Sequence, residues 1–170
     1  MAYCVVRTDL LAGIKNQAFL EHGRYQDSDG NYQEIQNGSI VAVGALEDGE
    51  RESHIYTDVA SDTTLTKVVL VANPELTYLY GYEHDALSDY TNVAGKCIRG
   101  YYLHGQSFSV TAEGFESVET AAVGDYVYVA EGAHIMTLSA TEPDSGLVIG
   151  KLAEIEETKS TTFYCVEIAK

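Results

Sequence analysis

The sequence has no tryptophan, only two prolines, and only 10 Lys and Arg residues against 26 Asp and Glu. The shortage of cations excludes partners: a surface at a formal charge of -16 repels phosphates and anionic lipid headgroups, so neither nucleic acid nor membrane is expected to bind. The excess is shared, with 15 acids and 5 bases before Gly95 and 11 acids and 5 bases from there on, so no basic half faces an acidic one. Cysteine is scarce and odd in number; Cys4, Cys97 and Cys165 contain no C-x-x-C pair, which favours reduced, mostly buried thiols over a secreted disulfide framework. Long apolar runs are also missing. The longest, from Val68 to Ala72, falls far below the roughly 20 residues of a membrane span. The N-terminal MAYCVVRTDLLAG has neither the basic nor the long apolar region of a secretion signal. These features predict a soluble protein made in the cytoplasm.

What is present favours strands. Sixteen Val, nine Ile and fourteen Thr, with 13 Tyr and 4 Phe, suit a pleated, half-buried surface. Asn37-Gly38 is a turn signal, followed by Ile40, Val41, Val43 and Leu46 and then by a second turn at Glu47-Asp48-Gly49-Glu50. Further strands are expected at residues 3–6, 54–59, 67–71, 97–103, 108–111, 125–130, 134–138, 147–155 and 162–168. His104-Gly105-Gln106 turns one hairpin, and Gln26-Asp27-Ser28-Asp29-Gly30-Asn31 reads as the tip of another. Asn73-Pro74-Glu75 predicts a short helix or an ordered loop. The fold class is therefore mainly β, a small barrel or sandwich-like body with at most one short helix. Residues 1–36, the least regular part, are expected to form an extended arm, and 37–170 the β-rich body, with a lobe boundary, if there is one, near 92–96.

Signatures of catalysis are missing. His22, His54, His84, His104 and His134 have no i,i+4 pairing and no Cys/His ligand spacing, which leaves zinc unsupported and surface or hydrogen-bonded roles as the simple reading. Asp27-x-Asp29-Gly30-Asn31 resembles the start of a calcium loop, but its glycine is fourth and Gly38 occupies the position where a bidentate Glu is needed. A hairpin turn is the stronger reading. There is no G-x-S-x-G elbow, phosphate-binding loop or dinucleotide fingerprint. No catalytic residue, metal ligand or cofactor is assigned, and the expectation is a protein without enzymatic activity. Tyr78, Tyr80 and Tyr82 alternate, which places them on one face of an extended segment. Such a face serves either a protein interface or the edge of the protein's own core.

Several segments, in order, resemble one group of proteins. Ala72-Asn73-Pro74-Glu75, Leu87-Ser88-Asp89-Tyr90-Thr91-Asn92-Val93-Ala94-Gly95-Lys96, Arg99-Gly100-Tyr101-x-Leu103 and Phe108-Ser109-Val110-Thr111 resemble head decoration, or cement, proteins of tailed bacteriophages and prophages. Val123-Gly124-Asp125-x-Val127-x-Val129 and Gly146-x-x-Ile149-Gly150 are similar to the same group. The resemblance implies a non-enzymatic virion protein, made in the host cytoplasm, that binds the major capsid protein on the outside of the shell as a homo-oligomer and stabilises it. Attachment would come from an arm adding a strand to a neighbour's sheet edge. Tyr3 and Val5 in the first strand, Tyr164 and Val166 in the last, and Tyr78, Tyr80 and Tyr82 are the expected interface residues. A tail-tube or head-tail completion subunit is the alternative within the virion, and a carbohydrate- or receptor-binding β-module is the alternative outside it.

Overall fold

The computed structural model describes residues 3–8, 11, 19–75, 90–103 and 107–169. Ten strands are found among them: β1 (Leu20–Tyr25), β2 (Ile40–Leu46), β3 (His54–Thr57), β4 (Val68–Val71), β5 (Ile98–Tyr102), β6 (Ser107–Thr111), β7 (Tyr126–Val129), β8 (Met136–Ser139), β9 (Leu147–Glu157) and β10 (Thr162–Ile168). The helical pieces described are single 3-10 turns at Leu65–Lys67 and Ala112–Gly114. The mainly-β expectation holds.

The strands form two sheets. The first closes into a barrel in the order β1-β3-β2-β4-β5, and the second runs β6-β10-β9-β7-β8. In the barrel, β1 lies parallel to β3 (Arg24 opposite Ile55) and antiparallel to β5 (His22 opposite Arg99), which brings the sheet round on itself. Every pairing in the second sheet is antiparallel.

β4 shows why the sequence needs its one apolar run. All four residues, Val-Val-Leu-Val, are buried, because alternate side chains enter different cores. Val69 and Val71 point into the barrel with Tyr25, Ile35, Val41, Tyr56 and Ile98. Val68 and Leu70 point out, with Ile40 and Tyr101, against the second sheet's Val127, Val129, Met136, Ile149 and Leu152. The barrel wall is thus also one face of the larger core, and each such side chain contributes about 1.5–3 kcal/mol by leaving water.

A five-stranded barrel has a narrow bore, and Tyr56 fills this one. A Cβ at Gly23 would lie 2.5 Å from its ring, and one at Gly100 would lie 2.5 Å from a Val69 methyl and 3.0 Å from the Tyr56 hydroxyl. Glycine at those two positions is the room the ring occupies. The Tyr56 hydroxyl, over the Gly100 backbone, has no hydrogen-bond partner among the described residues, and burial pushes its pKa far up.

Two features of the expected layout differ. The arm assigned to residues 1–36 contains β1, a full member of the barrel. Leu-Glu-His-Gly-Arg-Tyr is poor in strand formers, but its inward positions are specialised: Gly23 clears the Tyr56 ring, and Glu21 accepts the Tyr102 hydroxyl at 3.1 Å. Tertiary fit outweighs propensity there. β5 closes the barrel against both β1 and β4, and β6, the next strand, belongs to the second sheet, so both strands before and after residues 92–96, β4 and β5, are in the barrel. The turn expected at His104-Gly105-Gln106 and the outcome of the Asn73-Pro74-Glu75 helix reading beyond Glu75 lie outside the described residues.

Candidate functional site

The seam between barrel and second sheet concentrates the polar chemistry. Main-chain bonds lash the 132–134 loop to the barrel: Ile40 N–H donates to the His134 carbonyl at 2.8 Å, Val59 N–H to that of Ala133 at 3.0 Å, and Gly132 N–H to that of Val59 at 2.8 Å. These bonds place the His134 ring beside Asp58 and Tyr25. His134 Nδ1 is 2.8 Å from Asp58 Oδ1, the Tyr25 hydroxyl donates to the same oxygen at 2.7 Å, and the Tyr25 and His134 rings meet edge-on at 5.3 Å. Burial, and then the Asp58 carboxylate, hold the Tyr25 hydroxyl well above its usual pKa and keep it a donor. A carboxylate bound to Nδ1 orients an imidazole, as it does in nucleophile–base pairs. Here the ring's bonds among the described residues go to Asp58 and Tyr25, and no nucleophile is engaged. The arrangement fastens two sheets together. Beside it, Asn37, Ser39, Glu113 and His134 border a polar cavity of about 270 Å3.

A second polar cluster anchors the chain's entry to the barrel. The buried Asn37 donates from Nδ2 to the Asn73 carbonyl (2.9 Å) and accepts the Asn73 N–H on Oδ1 (3.0 Å). Asn92 Nδ2 reaches the Ile35 carbonyl at 2.9 Å and Asn37 Oδ1 at 3.1 Å, and the Tyr90 hydroxyl lies 3.0 Å from the Pro74 carbonyl and 3.2 Å from Asn92 Oδ1. Buried amides of this kind are stable only when their bonds are met. Tyr3 packs edge-on against Tyr90 at 6.2 Å and its hydroxyl points to Glu75 at 3.4 Å. Burial raises the Glu75 pKa, and the bonds from Asn37 and Tyr3 offset part of that rise.

The expected interface residues are placed differently from one another. Tyr3 and Val5 belong to an N-terminal segment that does add to a sheet edge, but the edge is the chain's own. Val6 bridges Val110, Arg7 N–H donates to the Ser109 carbonyl at 2.9 Å, and Thr111 N–H donates to that of Val5 at 3.1 Å. The segment thereby covers the outer side of β6 and buries Cys4, whose thiol is pushed up to about 12 by burial. Tyr164 and Val166 are on β10, which lies between β6 and β9, and both are buried. A strand paired on both sides cannot pair with a neighbour, so a docking role for this strand is withdrawn. Tyr78, Tyr80 and Tyr82 lie outside the described residues.

The Asp27 turn is a hairpin tip. Asp27 Oδ1 accepts the N–H of Asp29 (3.0 Å) and Asn31 (2.9 Å), Oδ2 accepts Gln33 Nε2 (2.7 Å), and Gln26 bridges Tyr32. These bonds, Gln33's first, lower the Asp27 pKa and commit both of its oxygens to the turn. Among the described residues no group of three or more His, Cys, Asp or Glu is placed to hold a metal.

Sequence reasoning missed the Tyr25–Asp58–His134 cluster. Its members are 33 and 76 residues apart, so no local spacing announces them. The two C-terminal segments behind the resemblance shape and fill the fold: Gly124, at φ 100°, turns the chain into β7, Asp125 Oδ2 accepts the Ala122 N–H at 2.9 Å, and Val127, Val129 and Ile149 are fully buried. Comparison with protein-family models, curated proteins and solved structures gives no match.

Proposed function

We propose that this protein is a non-enzymatic structural component of a tailed-phage virion that binds the outer surface of the capsid through the major capsid protein and stabilises the shell. The observation that carries the reading is the ordered set of segments from Ala72 to Gly150 that resembles head decoration proteins. Two physical facts support it. The charge of -16 keeps such a protein off packaged DNA and away from anionic membranes while leaving protein contacts open. The best-formed polar cluster, Tyr25–Asp58–His134, spends its bonds on joining two sheets, which suits a part that must resist load. With the N-terminal segment and β10 both engaged within the chain, attachment is assigned to side-chain surfaces of the folded body, in several copies per shell.

Co-sedimentation tests the proposal. Purified protein mixed with expanded and unexpanded shells of the encoding phage is expected to pellet with the shells to saturation. Failure to pellet with either removes the proposal; assembly into rings in solution would transfer it to the tail, and glycan-dependent binding to a receptor module.

A further inference from the structure

The cavity of about 270 Å3 beside the polar seam selects by charge and by the hydrogen bonds its walls leave open. Glu34 and Glu113 border it and are exposed, which puts two carboxylates at its rim, and no described lysine, arginine or aromatic residue borders it. Ser39 lies deeper, only 5% exposed. Its carbonyl accepts the Val71 N–H at 2.8 Å, but its hydroxyl has no partner among the described residues; unlike the unpartnered hydroxyls of Ser53 and Tyr56, it is not sealed from accessible space. The space it meets is this cavity. Buried hydroxyls are nearly always met, by protein, by water or by a ligand.

His134 borders the same cavity. Its Nδ1 faces the Asp58 carboxylate, which only accepts, so the neutral ring carries its hydrogen there and keeps a lone pair on Nε2, for which no partner is found among the described residues. Asn37, also on the wall, has both amide atoms committed to Asn73 and Asn92. The open groups are therefore acceptors under an acidic rim. An anion would meet two carboxylates and no cation. No group of three or more described His, Cys, Asp or Glu is placed to hold a metal ion, and a quaternary ammonium or a sugar ring would find no aromatic face. A primary ammonium suits the walls, because it brings one positive charge and three N–H donors on a narrow stem. We propose that the cavity bordered by Ser39, His134, Glu34 and Glu113 is a binding site for a protonated primary amine, carried by a small diamine or by a lysine side chain. The ammonium donates to Ser39 Oγ and His134 Nε2, and the rim carboxylates offset its charge. The site is additional to the shell contact and does not depend on it.

Calorimetric titration of the full chain at low salt tests the proposal with two probes, putrescine and Nα-acetyl-lysine amide. Saturable binding of at least one is expected, and the tighter of the two names the source of the amine. Ser39→Ala and Glu113→Gln are each expected to weaken that binding about tenfold, the effect of losing one charge-assisted interaction. Glu142→Gln removes an exposed carboxylate outside the cavity and should leave binding within about twofold of the parent. Glu113 is exposed, so its variant keeps the test valid should Ser39→Ala fail to fold. Absence of saturable binding with both probes, binding by the folded cavity variants within about twofold of the parent, or an equal loss in Glu142→Gln overturns the proposal.

Discussion

Gly150 is the position where one added carbon does the most damage. It lies on β9 between two partners, opposite Ile168 of β10 and Val127 of β7. A Cβ there would fall inside the carbonyl oxygen of Glu167, 2.8 Å from its carbon and 2.9 Å from the Ile168 Cα, whereas ordinary contact begins near 3.4 Å. All three obstacles are backbone, so no side-chain rotation relieves them. β9 and β10 must part locally, which strains or breaks ladder bonds such as Ala169 N–H to the Ile149 carbonyl at 2.8 Å. Overpacking of this kind costs about 1–3 kcal/mol and each lost bond about 0.5–1.5. Gly150→Ala should therefore destabilise the fold by about 3 kcal/mol, which lowers Tm by roughly 6–12 °C in a chain of this size. Gly124→Ala is the comparison: at φ 100° with nothing within 4 Å of a Cβ, it meets backbone strain alone, about 1–2 kcal/mol. Urea unfolding followed by circular dichroism measures both. A Gly150→Ala protein that unfolds within about 1 kcal/mol of the parent, or is no worse than Gly124→Ala, would refute the packing argument.

Two further outcomes follow from buried titratable groups. The Glu75 pKa is raised by burial, so the folded state favours its protonated form; the associated stability is present below the ordinary carboxylate pKa and is lost as pH rises through the raised value. Glu75→Gln should therefore melt higher than the parent at pH 7.5 and equal to it at pH 4, and a variant that melts lower at pH 7.5 contradicts the assignment. Cysteine labelling should proceed in order of exposure: Cys97 first, the half-buried Cys165 more slowly, and Cys4, buried with its thiol pushed up to about 12, only on unfolding. Rapid labelling of all three thiols in the folded protein would show that the N-terminal segment does not hold against β6.

The strands legible in the sequence were those whose cores demand apolar residues on one or both faces. β4 reads as an unbroken run because the barrel and the second sheet each take alternate residues, and β10 spans the expected 162–168. β1 was hidden, since Gly23 and Glu21 are chosen for Tyr56 and Tyr102, residues distant in sequence. Barrel closure itself depends on β1 pairing with both β3 and β5, a property of distant partners that leaves no periodicity behind. The same holds for the polar seam: the sequence shows His134 as a lone histidine, and only folding brings Asp58 and Tyr25 to it. The N-terminal segment reads as edge-seeking from its sequence, but which edge it takes is decided by the Cys4 site against Gly38 and Gly114 of its own chain.

The proposed role seats the folded body on the exterior of a capsid lattice. Cryo-electron microscopy of shells reconstituted with the purified protein tests it directly. Added density is expected on the outer surface at symmetry-related positions, into which the barrel and second sheet fit; shells that remain bare, or density confined to the lumen or the tail, would contradict that role.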